Sequence, residues 1–214
     1  MKRINCIANL IHDPKALVAD IGSDHAFLAI RLLKNKQAKT VYNIEINQKP
    51  LDAGIKNLKA NFVFKNTVNV INDGLKNWKL TKYFDYVVIY GMGGKNIVNI
   101  LSKAKVKIKN LILCPNNKFW ALRKYLSKQK WKFVYETIVH ESKYFYPIML
   151  VSKSKGIKYT NNKDWYFGKL NLKQKETDFV KMNKERLKYL KKNKIVTYNQ
   201  KYPLEEKLLN ESFK

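Results

Sequence analysis

Through the first 130 residues, short apolar runs alternate with stretches of helical spacing, and this alternation leaves few folds open. Residues 16–21, 41–46, 67–71, 84–90 and 110–114 read as strands, and residues 25–34, 49–61, 94–104 and 118–129 as helices. The strands are apolar almost without interruption. Such a strand has no face to show to water, so the pattern calls for a parallel sheet covered by helices on both sides. Residues 131–141 and 143–151 change the rhythm. Two extended runs with a short connection make an antiparallel hairpin at the sheet edge. The expected class is α/β, doubly wound.

Upstream, Ile4, Ile7, Ala8 and Ile11 give residues 1–12 the spacing of an amphipathic helix, which Asp13-Pro14 breaks. Downstream, the composition shifts at Ser152-Lys153-Ser154-Lys155-Gly156, and strand signal fades from Asp164. Leu172, Phe179, Met182, Arg186, Leu187 and Leu190 outline one long amphipathic helix with lysines on its open face. Pro203 opens a shorter helix over residues 204–212, and the Tyr-Asn-Gln-Lys-Tyr stretch before it lets the two fold back as an antiparallel pair. The chain thus divides into residues 1–155 and a basic helical unit of residues 156–214.

Lys and Arg number 43 against 16 Asp and Glu, a formal charge of +27. A field of that size draws polyanions, and lysines on phosphates release counterions. A bias toward Lys and Asn codons explains Lys over Arg, but it explains the scarcity of acids less well. Nucleic acid is the expected partner. The two cysteines, Cys6 and Cys114, and three histidines lack the spacing of a disulfide framework or a metal site. Reduced thiols, no metal and a cytoplasmic location are expected. No run reaches the ~20 apolar residues of a membrane span, and the start carries no signal-peptide pattern.

Candidate chemistry gathers where strands would end, the edge at which open α/β sheets bind ligands. Asp20, Gly22, Ser23, Asp24 and His25 form the first turn. It has one glycine where a dinucleotide fingerprint wants three, and its carboxylates would repel a pyrophosphate. They suit a ligand with a cationic centre and an amino group, such as S-adenosylmethionine. Glu45, with Ile46 after it, ends the second strand and can accept both hydroxyls of a ribose. Asp73-Gly74 follows the third, where Asp73 can meet the exocyclic amine of an adenine while Ile71 or Leu75 packs on the ring. Gly91, Met92, Gly93 and Gly94 follow the fourth and free the backbone for close approach. Asn116 follows the fifth, and its amide matches an adenine edge.

Asp20-Ile-Gly-Ser-Asp-His-Ala26, Gly91-Met-Gly-Gly94, Pro115-Asn116 and Tyr166-Phe167-Gly168 together resemble the bacterial tRNA (adenine-22-N1)-methyltransferase family. The resemblance implies a Rossmann-like class I methyltransferase sheet, mostly parallel with a C-terminal antiparallel hairpin. It also implies a small C-terminal α-helical, coiled-coil-like domain. The cofactor would be S-adenosyl-L-methionine and the substrate N1 of adenine 22 in tRNA. Cys114 departs from the pattern, which has glutamine before Pro-Asn.

Adenine N1 carries a free lone pair, so catalysis would be mainly alignment, with Asp24 stabilising the cationic product and Asn116 orienting the base. Asp24 serves equally well as a ligand for the cofactor's amino group. The base must leave the folded core of tRNA to be reached; Tyr144, Phe145 and Tyr146 on the last strand could stack on it, with packing in the sheet the favoured role for Phe145. Lys169, Lys173, Lys181, Lys184, Arg186 and Lys188 would grip phosphates together with Tyr146. Deleting residues 156–214 should then cost tRNA affinity and spare the cofactor. A monomer is expected. Two rivals are a non-catalytic RNA-binding protein on the same scaffold and a nicotinamide-dependent oxidoreductase, which the missing glycines disfavour.

Overall fold

The computed structural model describes residues 1–192 and 201–213. Helix α1 (Lys2–Ala8) leads to β1 (Leu17–Ile21), α2 (Phe27–Lys34), β2 (Thr40–Glu45), α3 (Gln48–Ala60) and β3 (Thr67–Ile71). Then come β4 (Tyr83–Tyr90), α4 (Gly94–Lys103), β5 (Lys107–Cys114) and α5 (Phe119–Lys128). Strands β6 (Lys132–Glu141) and β7 (Tyr144–Ser152) make the hairpin. Four helices follow, α6 (Asn162–Phe167), α7 (Lys169–Gln174), α8 (Thr177–Lys192) and α9 (Lys201–Phe213). In space the strands run β3-β2-β1-β4-β5-β7-β6. Strands β1 to β5 are parallel, and β7 inserts antiparallel between β5 and β6. Winding reverses between β1 and β4, so the ends of those two strands flank the switch point where such sheets bind ligands.

Strand alternation sorts the core into two layers. Val18, Val88 and Ile112 pack with Ile7, Leu28 and Leu32 of α1 and α2. Ala19, Val87, Ile89 and Leu113 pack with Ile97, Leu122 and Leu126 of α4 and α5 on the opposite face. The same period turns Asp20 and Tyr90 toward the first layer, at the strands' carboxyl ends. The first helix stops at Ala8, short of the expected residue 12, and Gln37 Nε2 bonds the Ala8 and Ile11 carbonyls at 3.0 and 2.9 Å. A side chain thereby satisfies acceptors that a longer helix would have used.

The expected single helix from Leu172 onward is two helices, because Lys175 takes a left-handed conformation after α7. The break lets the start of α8 fasten the exposed edge of the sheet. Glu176 accepts from Thr137 Oγ1 at 2.5 Å, and Asp178 accepts from the His140 N–H at 2.9 Å. An edge donor is thus covered. Phe167, Phe179, Leu187, Leu208, Leu209 and Phe213 close a third core against Ile138 of β6. Phe179 meets Phe213 at 5.4 Å between ring centroids while Arg186 meets Glu205, so α8 and α9 run antiparallel. Most of the connecting stretch, residues 198–202, lies outside the described residues. Helix α9 begins at Lys201, which puts Pro203 in its first turn, where no N–H is missed.

Residues after 155 are built into the sheet's own core. Tyr159 is buried in the second layer and stacks on Phe133 at 3.7 Å, and its hydroxyl donates to Glu136. Arg123 on α5 pairs with Glu136 at 2.7 Å and donates to the Trp165 and Tyr166 carbonyls at 3.3 and 3.0 Å. Cutting the chain at residue 155 would therefore strip a buried ion pair of its Tyr159 hydroxyl and its carbonyl partners, so deletion cannot isolate the role of the tail.

Candidate active site

Backbone hydrogen bonds and close contacts join the strand ends into one rim. The Gly22 N–H donates to the Ile44 carbonyl at 2.8 Å, and the Asn72 N–H to the Glu45 carbonyl at 2.8 Å. The Asp24 N–H donates to Glu45 Oε1 at 2.5 Å. Across the switch point, a Cβ on Gly22 would lie 2.5 Å from Met92 Cε. The Asn116 N–H reaches the Met92 carbonyl at 2.8 Å, and its side-chain amide the Gly91 carbonyl at 2.9 Å. Asp20 to Asp24, Glu45, Asp73, the Gly91 loop and Asn116 therefore share one edge of the sheet.

Burial separates these acids into two kinds. Asp20 is fully buried, Glu45 is 7% exposed, and the Asp24 side chain is 65% exposed. Burial, and then the Glu45 charge, push the Asp20 carboxyl up to about 8. Both Asp20 oxygens and Ser23 Oγ are buried with no hydrogen-bond partner among the described residues. Buried acceptors without partners are costly, and three in one turn fit a ligand that brings an ammonium group and hydroxyls. Asp24 adopts φ 46° with His25 Nε2 3.8 Å from its carboxylate, out at the mouth.

Asp73 is about half exposed and stands 3.9 Å from Lys103. Leu75 is fully buried in the second core, so it cannot pack on a ligand ring; Ile46 and Ile71, 61% and 48% exposed, are the apolar side chains at that end of the rim. The glycines after β4 divide in the same way. Gly91 has φ +76° and open space where a Cβ would stand, whereas on Gly93 and Gly94 a Cβ would press on Asn117 and Lys118 at 2.9–3.0 Å. Gly93 and Gly94 thus seat two loops together, and Gly91 alone leaves room for a ligand. Cys114, the last residue of β5, turns its side chain into the first core, where burial pushes the thiol up to about 12. Cys6 packs against the same cluster.

Three further residues were not legible as site residues. Arg3 of α1 lies over the Tyr146 ring at 4.4 Å and the Tyr90 ring at 5.8 Å, covering one face of the Tyr146 ring. Tyr90 carries a hydroxyl that burial, and then the Asp20 charge, push far above its usual range, so it remains a donor. Gly54 of α3 is the third: a Cβ there would be 2.7 Å from the Asp24 carbonyl oxygen. Gly to Ala inside a helix ordinarily stabilises by about 1 kcal/mol. Here Gly54→Ala should destabilise and weaken cofactor binding severalfold, measured by thermal melting and calorimetry. A more stable protein with unchanged affinity would show that the contact is unimportant.

The model of the family described as TrmK, tRNA (adenine(22)-N(1))-methyltransferase, matches residues 18–213. The chain belongs to this family. The methyltransferase is 35% identical over 157 residues to MG248 of Mycoplasma genitalium, covering 72% of this chain and 70% of that one. It is 30% identical over 152 residues to the Bacillus subtilis tRNA (adenine(22)-N(1))-methyltransferase, covering 70% and 63%. The structure of M. capricolum TrmK in complex with S-adenosylhomocysteine superposes with a TM-score of 0.86 at 30% identity, covering 98% of this chain and 94% of that one. The cofactor of the methyltransferase is S-adenosylmethionine, and its substrate is tRNA.

Of the expected tRNA contacts, Lys169 and Lys173 on α7 and Lys181, Lys184 and Lys188 on α8 are exposed. Arg186 differs. Its Nε and an Nη bond Glu205 at 2.8 and 3.1 Å, a two-point pair that holds α8 to α9. Phe145 stacks on His140 at 4.4 Å and packs on the third core, while Tyr144 is 55% exposed. No described helix is long and apolar enough to cross a membrane.

Proposed function

We propose that Asp20, Gly22, Ser23, His25 and Glu45 hold S-adenosylmethionine, with Ile46, Asp73-Gly74 and the Gly91 to Gly93 turn around its adenosine. Asp24 and Asn116 then face adenine 22 of tRNA. The carrying observation is the Asp20 carboxylate, fully buried and without a partner among the described residues. When bound, the cofactor supplies a methyl group on a cationic sulfur. Adenine N1 has its lone pair free, so the protein's task is alignment. Asp24 stands at the mouth, fixed through its N–H to Glu45, where its charge favours a ring that becomes cationic. Asn116 has its amide N–H on Gly91, which leaves Oδ1 as the acceptor for the exocyclic amine. Residues 1–155 serve the chemistry and residues 156–214 the grip on tRNA, in a monomer working in the cytoplasm.

The test compares methyl transfer to a tRNA bearing adenine 22 with the same tRNA bearing guanine there. Product forms only on the first, and Asp24→Asn lowers its single-turnover rate by about a hundredfold while cofactor affinity holds. Equal transfer to both tRNAs, or equal losses of rate and affinity in the variant, would overturn these assignments.

Changing Lys181, Lys184 and Lys188 together to Glu should weaken tRNA binding by about tenfold or more. The dependence of log affinity on log salt should flatten by roughly 2–3, since each lost phosphate contact removes close to one unit. Fluorescence titrations at several salt concentrations measure both. An unchanged slope would place the phosphates elsewhere.

A further inference from the structure

Between the loop that joins β5 to α5 and helices α6, α8 and α9 lies a cleft of about 420 Å³, a size that suits one small ligand. It begins at Asn116, beside Gly91 on the rim, and is walled by Trp120, Tyr166, Met182, Arg186 and Glu205. Trp120 and Tyr166 stack with ring planes 9° apart and centroids 5.8 Å apart. The two-point pair between Arg186 and Glu205 cancels the charge of that wall. Lys118 is the one other charged residue of the lining, so in a chain of formal charge +27 this hollow carries little net charge. A phosphate entering it would meet the carboxylate of Glu205 and find Arg186 already engaged, with Lys118 alone to offset them. A flat, uncharged group with hydrogen-bonding edges fits better: the aromatic pair offers π-surface, and Asn117 adds an amide to the lining.

We propose that this cleft takes a second nucleobase of the tRNA, one that pairs with or flanks the target, and so registers adenine 22 over the methyl group. The proposal rests on tRNA being the substrate and adds a recognition site beyond the reacting base. Both halves of the chain build the cleft, which gives the helical unit a part in positioning as well as in charge attraction.

Full-length wild type and Met182→Trp, which fills the cleft, are titrated with tRNAs carrying single abasic sites around adenine 22. One abasic site should weaken wild type about tenfold, the effect of one lost stack. The same site should leave the affinity of Met182→Trp unchanged, while both proteins bind S-adenosylmethionine equally. A second readout needs no filled cleft. 2-Aminopurine placed at that nucleotide loses fluorescence on binding wild type and keeps it on binding Trp120→Ala. The proposal falls if no abasic site weakens wild type, if each weakens both proteins alike, or if the fluorescence change survives Trp120→Ala. Failure of the tRNA-methylation reading would show separately, as absent methyl transfer to intact tRNA by wild type.

Discussion

Asp20→Asn should bind S-adenosylmethionine about a hundredfold more weakly, the loss expected for a buried charge-assisted hydrogen bond. Free of cofactor, the variant should nevertheless be more stable than wild type at pH 8. The sign follows from the raised carboxyl. Asp20 titrates near 8 in the folded chain and near ~3.9 when unfolded. The folded state therefore holds an extra proton between those values, and stability is lost as pH rises from about 4 through about 8. Asn cannot ionise, so the variant escapes that loss, a gain of several kcal/mol at pH 8. Denaturant unfolding from pH 5 to 8 with and without cofactor measures both effects. A variant less stable than wild type at pH 8 would mean that Asp20 has partners in the folded chain.

Arg123→Met should cost about 3–5 kcal/mol, because it strands the Glu136 carboxylate inside the protein. The two side chains are 2% and 1% exposed and 2.7 Å apart. Burial already pushes the Glu136 carboxyl up, with Arg123 and the Tyr159 hydroxyl pulling it back. Removing the cation raises it further. A raised carboxyl loses stability as pH rises, so the deficit of the variant should be smaller near pH 5 than near pH 8. Melting should fall by roughly 6–20 °C, and Arg123→Met with Glu136→Leu should recover most of it. A single variant that melts like wild type would remove the pair from the account of how the sheet holds α6.

Local period made most of the fold legible. Strands such as β4 and β5 are apolar enough to announce a two-sided burial, and each candidate cofactor residue lies at or just after the end of a strand, so parallel topology alone puts them on one rim. What local period does not carry is a partner across the chain. Arg3 reaches Tyr90 and Tyr146 only because α1 packs beside β4 and β7. Arg186 looked like a phosphate ligand because Glu205, across residues outside the described ones, gives no sign of pairing in sequence. Lys175 breaks a helix whose apolar spacing continues through it, since Glu176 and Asp178 bond the sheet edge. Gly54 left one faint mark, a glycine inside a helix, and only its contact with the Asp24 carbonyl explains it.

Calorimetric titration of S-adenosylmethionine into the full-length protein at pH 7, in two buffers of different ionisation enthalpy, probes the rim most directly. An internal acid that meets an ammonium group must give up its proton, so association should release nearly one proton per cofactor, and Asp20→Asn should abolish that release. Tight association with no proton exchanged, or the same exchange in the variant, would mean that the cofactor sits somewhere other than on this carboxylate.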